Sequence, residues 1–180
     1  YEKRSKRTID VYGYEDDTFR YLCFQVAVLE WINTWNHLVD VVHVHDHHSA
    51  LIPFMMQHCY AYTKLQHIKT VLTIHNAEYQ GWMEWKNAGL LPAWDTWRWG
   101  VLDWNNLVNP LACGIKCAHH VTTVSPGYLQ EIMQQSKGLE SLLRHETAKC
   151  SGIINGVDYT VWNPETDTYI LDNFGLKDVK

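Results

Sequence analysis

The chain has 180 residues, 46% of them hydrophobic, and a formal net charge of −5. That is enough for one compact domain or for a large part of a bigger one. Basic residues are thinly spread apart from Lys3, Arg4, Lys6 and Arg7, which read as a solvated tail. With no basic stripe to neutralise phosphates, no nucleic-acid partner is expected.

No apolar run reaches the roughly 18 residues of a membrane span, and no charged start precedes an apolar run. Neither a membrane partner nor a secretory signal is expected. The cysteines Cys23, Cys59, Cys113, Cys117 and Cys150 are odd in number and none form C-x-x-C. They read as reduced thiols of a cytoplasmic protein rather than a disulfide framework. The chain opens without Met and both ends read as cut, so it is expected to be part of a longer protein.

In chain order, apolar residues at 19, 22, 23, 26, 29 and 32 predict a helix over 19–35. A β-branched run predicts a strand over 41–45. Mixed apolar spacing predicts helix over 50–65, and a second β-branched run predicts a strand over 69–75. The segment 82–104 holds six of the nine tryptophans without a clean period, and reads as an excursion inserted between strand and helix. Its tryptophans are expected mainly to pack, with sugar stacking or a partner surface as the alternative. A helix is predicted over 106–117, with Cys113 and Cys117 on one apolar face. A strand follows over 120–125. Ser125 and Pro126 then read as the N-cap and first position of a helix through Met133. A short helix over 138–144 and a strand over 151–155 complete the pattern.

Strands alternating with helices predict an α/β fold, with a Rossmann-like, largely parallel sheet and helices on both faces. Ligands of such sheets lie beyond the carboxyl ends of the strands. His45-Asp46, His75-Asn76, Ser125 and Asn155-Gly156 end the four strands, which predicts a shared cleft.

The segment 43-HVHDHH-48 admits three readings. His43, His45 and His47 alternate, so on a strand they share a side and could bind zinc as a metal-dependent hydrolase does. The order differs from the hydrolase pattern H-x-H-x-D-H, in which Asp does not directly follow the second His. Alternatively His43 is a hydrogen-bonded core histidine, which leaves Asp46 unexplained. The third reading is a sugar site, since hydroxyls need fixed donors and acceptors, and His, Asp and Asn at strand ends supply both. It also draws in His75, Asn76 and Asn155.

In this order, DVVHVHDHHSALIP, TVLTIHNAEYQG, VTTVSPGYLQEI and SGIINGVDYTVWNPETD resemble the N-terminal catalytic domain of bacterial glycogen synthases and plant starch synthases, over residues 40–167. The resemblance implies part of one Rossmann-like half of a two-domain, GT-B glycosyltransferase. Such enzymes move glucose from ADP-glucose, or UDP-glucose in some members, to the terminal 4-OH of an α-1,4-glucan with retention, and need neither metal nor other cofactor. Carried over by motif, Asp46 lies in the cleft near sugar and acceptor. His75 contacts the donor glucose near its 6-OH, next to Asn76. Asn155 also meets the donor sugar, and Gln80 shapes the pocket. Asp46 and His75 are thus the expected catalytic residues, with Asn76, Gln80 and Asn155 binding substrate.

The chain departs from the family in two ways. His47 stands where the family usually has Trp, which reads as a trait of one branch. The family's N-terminal K-x-G-G motif is absent, as is the second domain with its phosphate-binding Arg and Lys. Residues 1–180 are therefore expected to form a single partial domain, inactive alone. A homodimer through an exposed sheet edge or the bare domain-interface face is also expected. A non-catalytic glucan-binding module remains the alternative to an enzyme.

Overall fold

A computed structural model describes residues 12–36 and 39–178. The basic cluster at residues 3–7 lies outside them. The elements run α1 (Asp17–Asn33), β1 (Val41–His45), α2 (Asp46–Ser49), α3 (Ile52–His58), a 3₁₀ turn (Tyr60–Leu65) and β2 (Lys69–Ile74). The Trp-rich stretch adds two 3₁₀ turns, α4 (Trp99–Leu102) and the hairpin of β3 (Asp103–Trp104) and β4 (Leu107–Val108). Then come α5 (Pro110–Cys117), β5 (His120–Thr123), α6 (Pro126–Ile132), α7 (Glu140–His145), a 3₁₀ turn and β6 (Cys150–Gly152).

The sheet has the order β1-β2-β5-β6 and every pair is parallel. The predicted parallel α/β architecture is what forms. All three crossovers step the same way along the sheet, so right-handed connections, the general rule, would carry their helices to one face rather than to both as the sequence predicts. Burial agrees. Val42 and Val44 are buried, whereas Val41, His43 and His45 on the opposite side of β1 are exposed. Leu72, Ile74 and Val121 continue the covered face. Gly114 lets α5 pack closely there, because a Cβ would lie 3.1 Å from Leu72 Cδ2 on that face and 2.8 Å from the Cβ and carbonyl oxygen of Ala50 after α2.

Two helix boundaries differ from the periodicity reading for reasons of long-range pairing. The helix expected over 50–65 breaks at Cys59, which turns extended to bridge Trp94. The helix expected over 106–117 starts at Pro110. Asn105 and Asn106 have φ of 54° and 63° and make the two-residue turn between β3 and β4 instead. Asn109 then caps α5 by accepting from the Ala112 N–H at 3.0 Å. Cys113 and Cys117 share a buried helix face, as their spacing predicts. Among the described residues, no helix is long and apolar enough to cross a membrane.

One buried amide ties α1 to the chain beyond β1. Gln25 is 1% exposed, its Oε1 accepts from the Leu51 N–H at 2.9 Å and its Nε2 donates to the Tyr21 carbonyl. Leu51 is itself fully buried. Gln25→Leu strands that N–H without a partner and should lower unfolding free energy by about 1–3 kcal/mol in urea titration. A loss under roughly 0.5 kcal/mol, the scale of ordinary surface changes, would show that the N–H finds another acceptor.

Candidate active site

The site is built where β1 and β2 end. Asp46 follows β1 with φ of 51°, the left-handed region that Asp tolerates better than most residues. That turn carries its carboxylate across to the next strand end. Asp46 Oδ1 accepts from the His75 N–H at 2.8 Å and the Asn76 N–H at 3.4 Å. The next N–H, that of Ala77, donates to the Tyr128 hydroxyl at 2.9 Å. Tyr128 stands on α6, which Ser125 caps through its Oγ at 2.9 Å. Ser125 is thus a helix cap, as its pairing with Pro126 predicts.

Beyond these strand ends opens a cavity of about 640 Å³. Asp17, Asp46, His47, His48 and Asn76 are among its polar lining, and Tyr21, Tyr79 and Trp82 are among its aromatic lining. Asn76 Oδ1 accepts from the Glu78 N–H at 2.9 Å, closing a local turn. His47 Nδ1 lies 3.0 Å from the Tyr79 carbonyl oxygen, so that nitrogen carries a proton. Its ring also presses on Gly81, where φ is 74° and a Cβ would stand 2.7 Å from His47 Cδ2. Only glycine fits there on both counts. His48 meets the Tyr21 ring edge-on at 4.5 Å.

The imidazoles are biased toward neutrality. Burial lowers His47 to about 4, with the neighbouring His48 adding to the shift. Burial lowers His48 too. Partial desolvation lowers His45, and His43 and His75 push it the same way. Among the described residues, no three His, Cys, Asp or Glu side chains are grouped so that they could hold a metal ion.

The sequence-predicted residues occupy different places around this centre. Asp46 and Asn76 reach the cavity wall together. His75 lies beside them, exposed, with Nε2 3.1 Å from His45 Nδ1. Gln80 is buried at 1% exposure behind the wall. Its amide donates to the Ala77 and Ser136 carbonyls and accepts from Asn109 Nδ2 at 2.7 Å. Direct ligand contact would cost Gln80 these bonds. Asn155 is exposed beyond β6 and is not part of the cavity lining. His43 is no core histidine, since its exposed ring bonds Thr73 Oγ1 at 2.7 Å.

Sequence reasoning missed Tyr12, Tyr21 and Tyr79 as cavity residues. The tryptophans divide. Trp85 donates to Asp103 at 3.0 Å, Trp94 packs edge-on against Phe54, and Trp104 lies against the core and beneath Lys116. Trp82 lines the cavity, while Trp97 is 92% exposed.

A one-way parallel sheet with a polar, aromatic-walled cavity beyond its strand ends defines a Rossmann-like α/β unit with a ligand-sized cleft. Comparison with known proteins narrows this. Residues 1–145 match the family profile for the starch synthase catalytic domain. The chain belongs to that family. It is 49% identical over 168 residues to a glycogen synthase of Flavobacterium johnsoniae, covering 93% of this chain and 36% of the relative. It is 41% identical over 174 residues to a glycogen synthase of Streptococcus uberis, covering 94% and 36%. Among solved structures it matches the catalytic domain of starch synthase IV from Arabidopsis thaliana bound to ADP and acarbose. That match has a TM-score of 0.77 and 33% identity, and covers 94% of this chain and 36% of the other. The chain thus spans about a third of the length of these relatives, and its sheet matches part of a GT-B fold.

Removal of the Asp46 carboxylate tests the construction of the site. In Asp46→Ala the His75 and Asn76 amides should exchange with solvent about tenfold faster, equivalent to roughly 1.4 kcal/mol of lost hydrogen bonding to a charged acceptor. Asp46→Asn keeps an acceptor oxygen and should retain most of the protection. Unchanged exchange in both variants would show that the loop holds itself.

Proposed function

We propose that this chain supplies part of the N-terminal domain of a retaining glucosyltransferase. The whole protein extends an α-1,4-glucan from ADP-glucose at the terminal 4-OH. The observation that carries this reading is the grouping of Asp46 and Asn76 on one wall of an aromatic-lined cavity, in a chain of the starch synthase family. Aromatic faces suit the apolar faces of glucose rings, and fixed amides, carboxylates and neutral imidazoles suit their hydroxyls. The ADP and acarbose bound to the Arabidopsis relative support ADP-glucose over UDP-glucose and a glucan as acceptor.

In this reading His75 orients the donor glucose, and Asn76 and Asn155 hold its hydroxyls. Asp46 fixes the loop that carries His75 and Asn76, and places negative charge near the anomeric carbon as positive charge develops there. Gln80 shapes the wall from behind. The leaving diphosphate needs cations, which a second α/β domain within the remaining length of such proteins would bring, so residues 1–180 alone are inactive. No metal or other cofactor takes part. The free thiols support a cytoplasmic setting.

In the whole protein, His75→Ala should lower ADP-glucose turnover by about 10²-fold, the scale of one oriented transition-state contact. Near-normal turnover would remove His75 from the reaction.

The edge of β1 also bears on association. Val41 is 48% exposed there, and no strand pairs with the outer side of β1 among the described residues. An open edge recruits strands, and we propose that residues 1–180 self-associate through it or through the face meant for the second domain. Elution from a sizing column should then shift with concentration, whereas a constant monomer position would exclude this association.

A further inference from the structure

His45 Nδ1 and His75 Nε2 are 3.1 Å apart, with ring centroids 5.3 Å apart. Two imidazole nitrogens bond only when one carries a proton and the other a lone pair. The contact therefore couples the tautomers of the two rings. When His45 Nδ1 donates, the proton of neutral His75 is on its own Nδ1, which then offers a donor. When His75 Nε2 donates, its Nδ1 offers a lone pair. That Nδ1 makes no hydrogen bond among the described residues.

The mounting of the two rings is unequal. His45 sits in β1, in register with Thr73 of β2. Its N–H donates to Ser49 Oγ at 2.7 Å, and the same hydroxyl donates back to the His45 carbonyl at 2.7 Å. Its ring lies 4.4 Å from that of His43, tilted by 31°. His43 is locked in turn, because its Nε2 bonds Thr73 Oγ1, and Thr73 Oγ1 is 2.6 Å from Thr122 Oγ1. A run of side chains across three strands thus backs the His45 ring. His75 instead follows the last residue of β2. The Asp46 carboxylate holds its backbone N–H, and among the described residues His45 is the one hydrogen-bond partner of its ring.

We propose that His45 is a positioning residue for His75. It holds the ring and selects its tautomer, so that Nδ1 of His75 meets a sugar hydroxyl as donor or acceptor without net charge. The inference rests on the sugar-contact reading of His75 proposed above. The groups facing His45 are His43 on its own strand, His75, Asp46, and, around a cavity of about 420 Å³, His48 and Tyr12. Partial desolvation and the adjacent imidazoles lower His45 below the ordinary histidine value, which favours its neutral form. A purely stabilising role for this exposed contact would be small, since exposed hydrogen bonds exchange readily with water.

The test is imidazole nitrogen NMR on the whole protein labelled with ¹⁵N-histidine, with the His75 signal assigned from its loss in His75→Gln. In the unaltered protein His75 should show one dominant tautomer. His45→Ala should give the tautomer mixture of a solvated ring. His45→Asn, whose amide reaches the place of Nδ1, should restore a single tautomer. An unchanged His75 signal in His45→Ala overturns the proposal.

Glucosyl transfer provides the second readout. His45→Ala should lower kcat on the order of tenfold, as expected for a misoriented contact, and should add no further loss to that of His75→Ala when the two are combined. If the tautomer shifts and turnover does not, the His45–His75 coupling stands and the sugar-contact reading of His75 falls.

Discussion

Three consecutive backbone N–H groups after β2, those of His75, Asn76 and Ala77, are held by side chains from two other elements. Asp46 takes the first two and the Tyr128 hydroxyl the third. A loop leaving a parallel strand has no ladder to satisfy these donors, so without acceptors they would turn to water and the loop would move. Asp46 can serve only because its backbone enters the left-handed region, which aims the carboxylate sideways from β1 to β2. The strained residue and the residue that organises the site are the same one. Backbone strain of this kind persists where surrounding bonds over-determine it.

The same economy appears on the cavity wall. His47 donates to the Tyr79 carbonyl and fills the space that a side chain at position 81 would need. The turn carrying Tyr79 and leading to Trp82 is therefore set by a residue of the β1 end, not by the Trp-rich stretch itself. Gln80, between them in sequence, points the opposite way and fastens the turn to Asn109 and Ser136. In one short turn, Tyr79, Gly81 and Trp82 thus line the cavity while Gln80 faces the core.

The sheet was legible in the sequence because its strands are short runs rich in β-branched residues, as in KTVLTI and HVTT. The strand-end polar residues followed from that, and so did the proximity of Asp46 to His75 and Asn76. Helix ends at Cys59 and Asn109 were not legible, since a bridge to Trp94 and a hairpin decide them and both form at a distance. Tyr12 and Tyr21 gave no signal. Tyr12 precedes α1 without a local pattern, and Tyr21 occupies a position on α1 that periodicity alone assigns to no ligand. Nor could alternation reveal that His43 is exposed. The inward and outward faces of a strand look alike until it is known which face the helices cover.

The density of imidazoles at this site has an electrostatic consequence. Clustered histidines suggest positive charge, but here burial outweighs the nearby carboxylates and works against protonation. His45, His47 and His48 are all held below their ordinary values. No Lys or Arg is among the described residues lining the cavity, and the Arg20 guanidinium is paired with Asp17 at 2.6 Å. The wall therefore presents largely neutral donors and acceptors together with two carboxylates, Asp46 and the Arg20-paired Asp17. Such a surface discriminates by hydroxyl geometry and disfavours bare anions, whose desolvation it does not offset. On the function proposed above, it would suit the sugar end of a nucleotide sugar and leave the diphosphate to a differently charged surface. Such a division of labour would favour an active site assembled from two such surfaces.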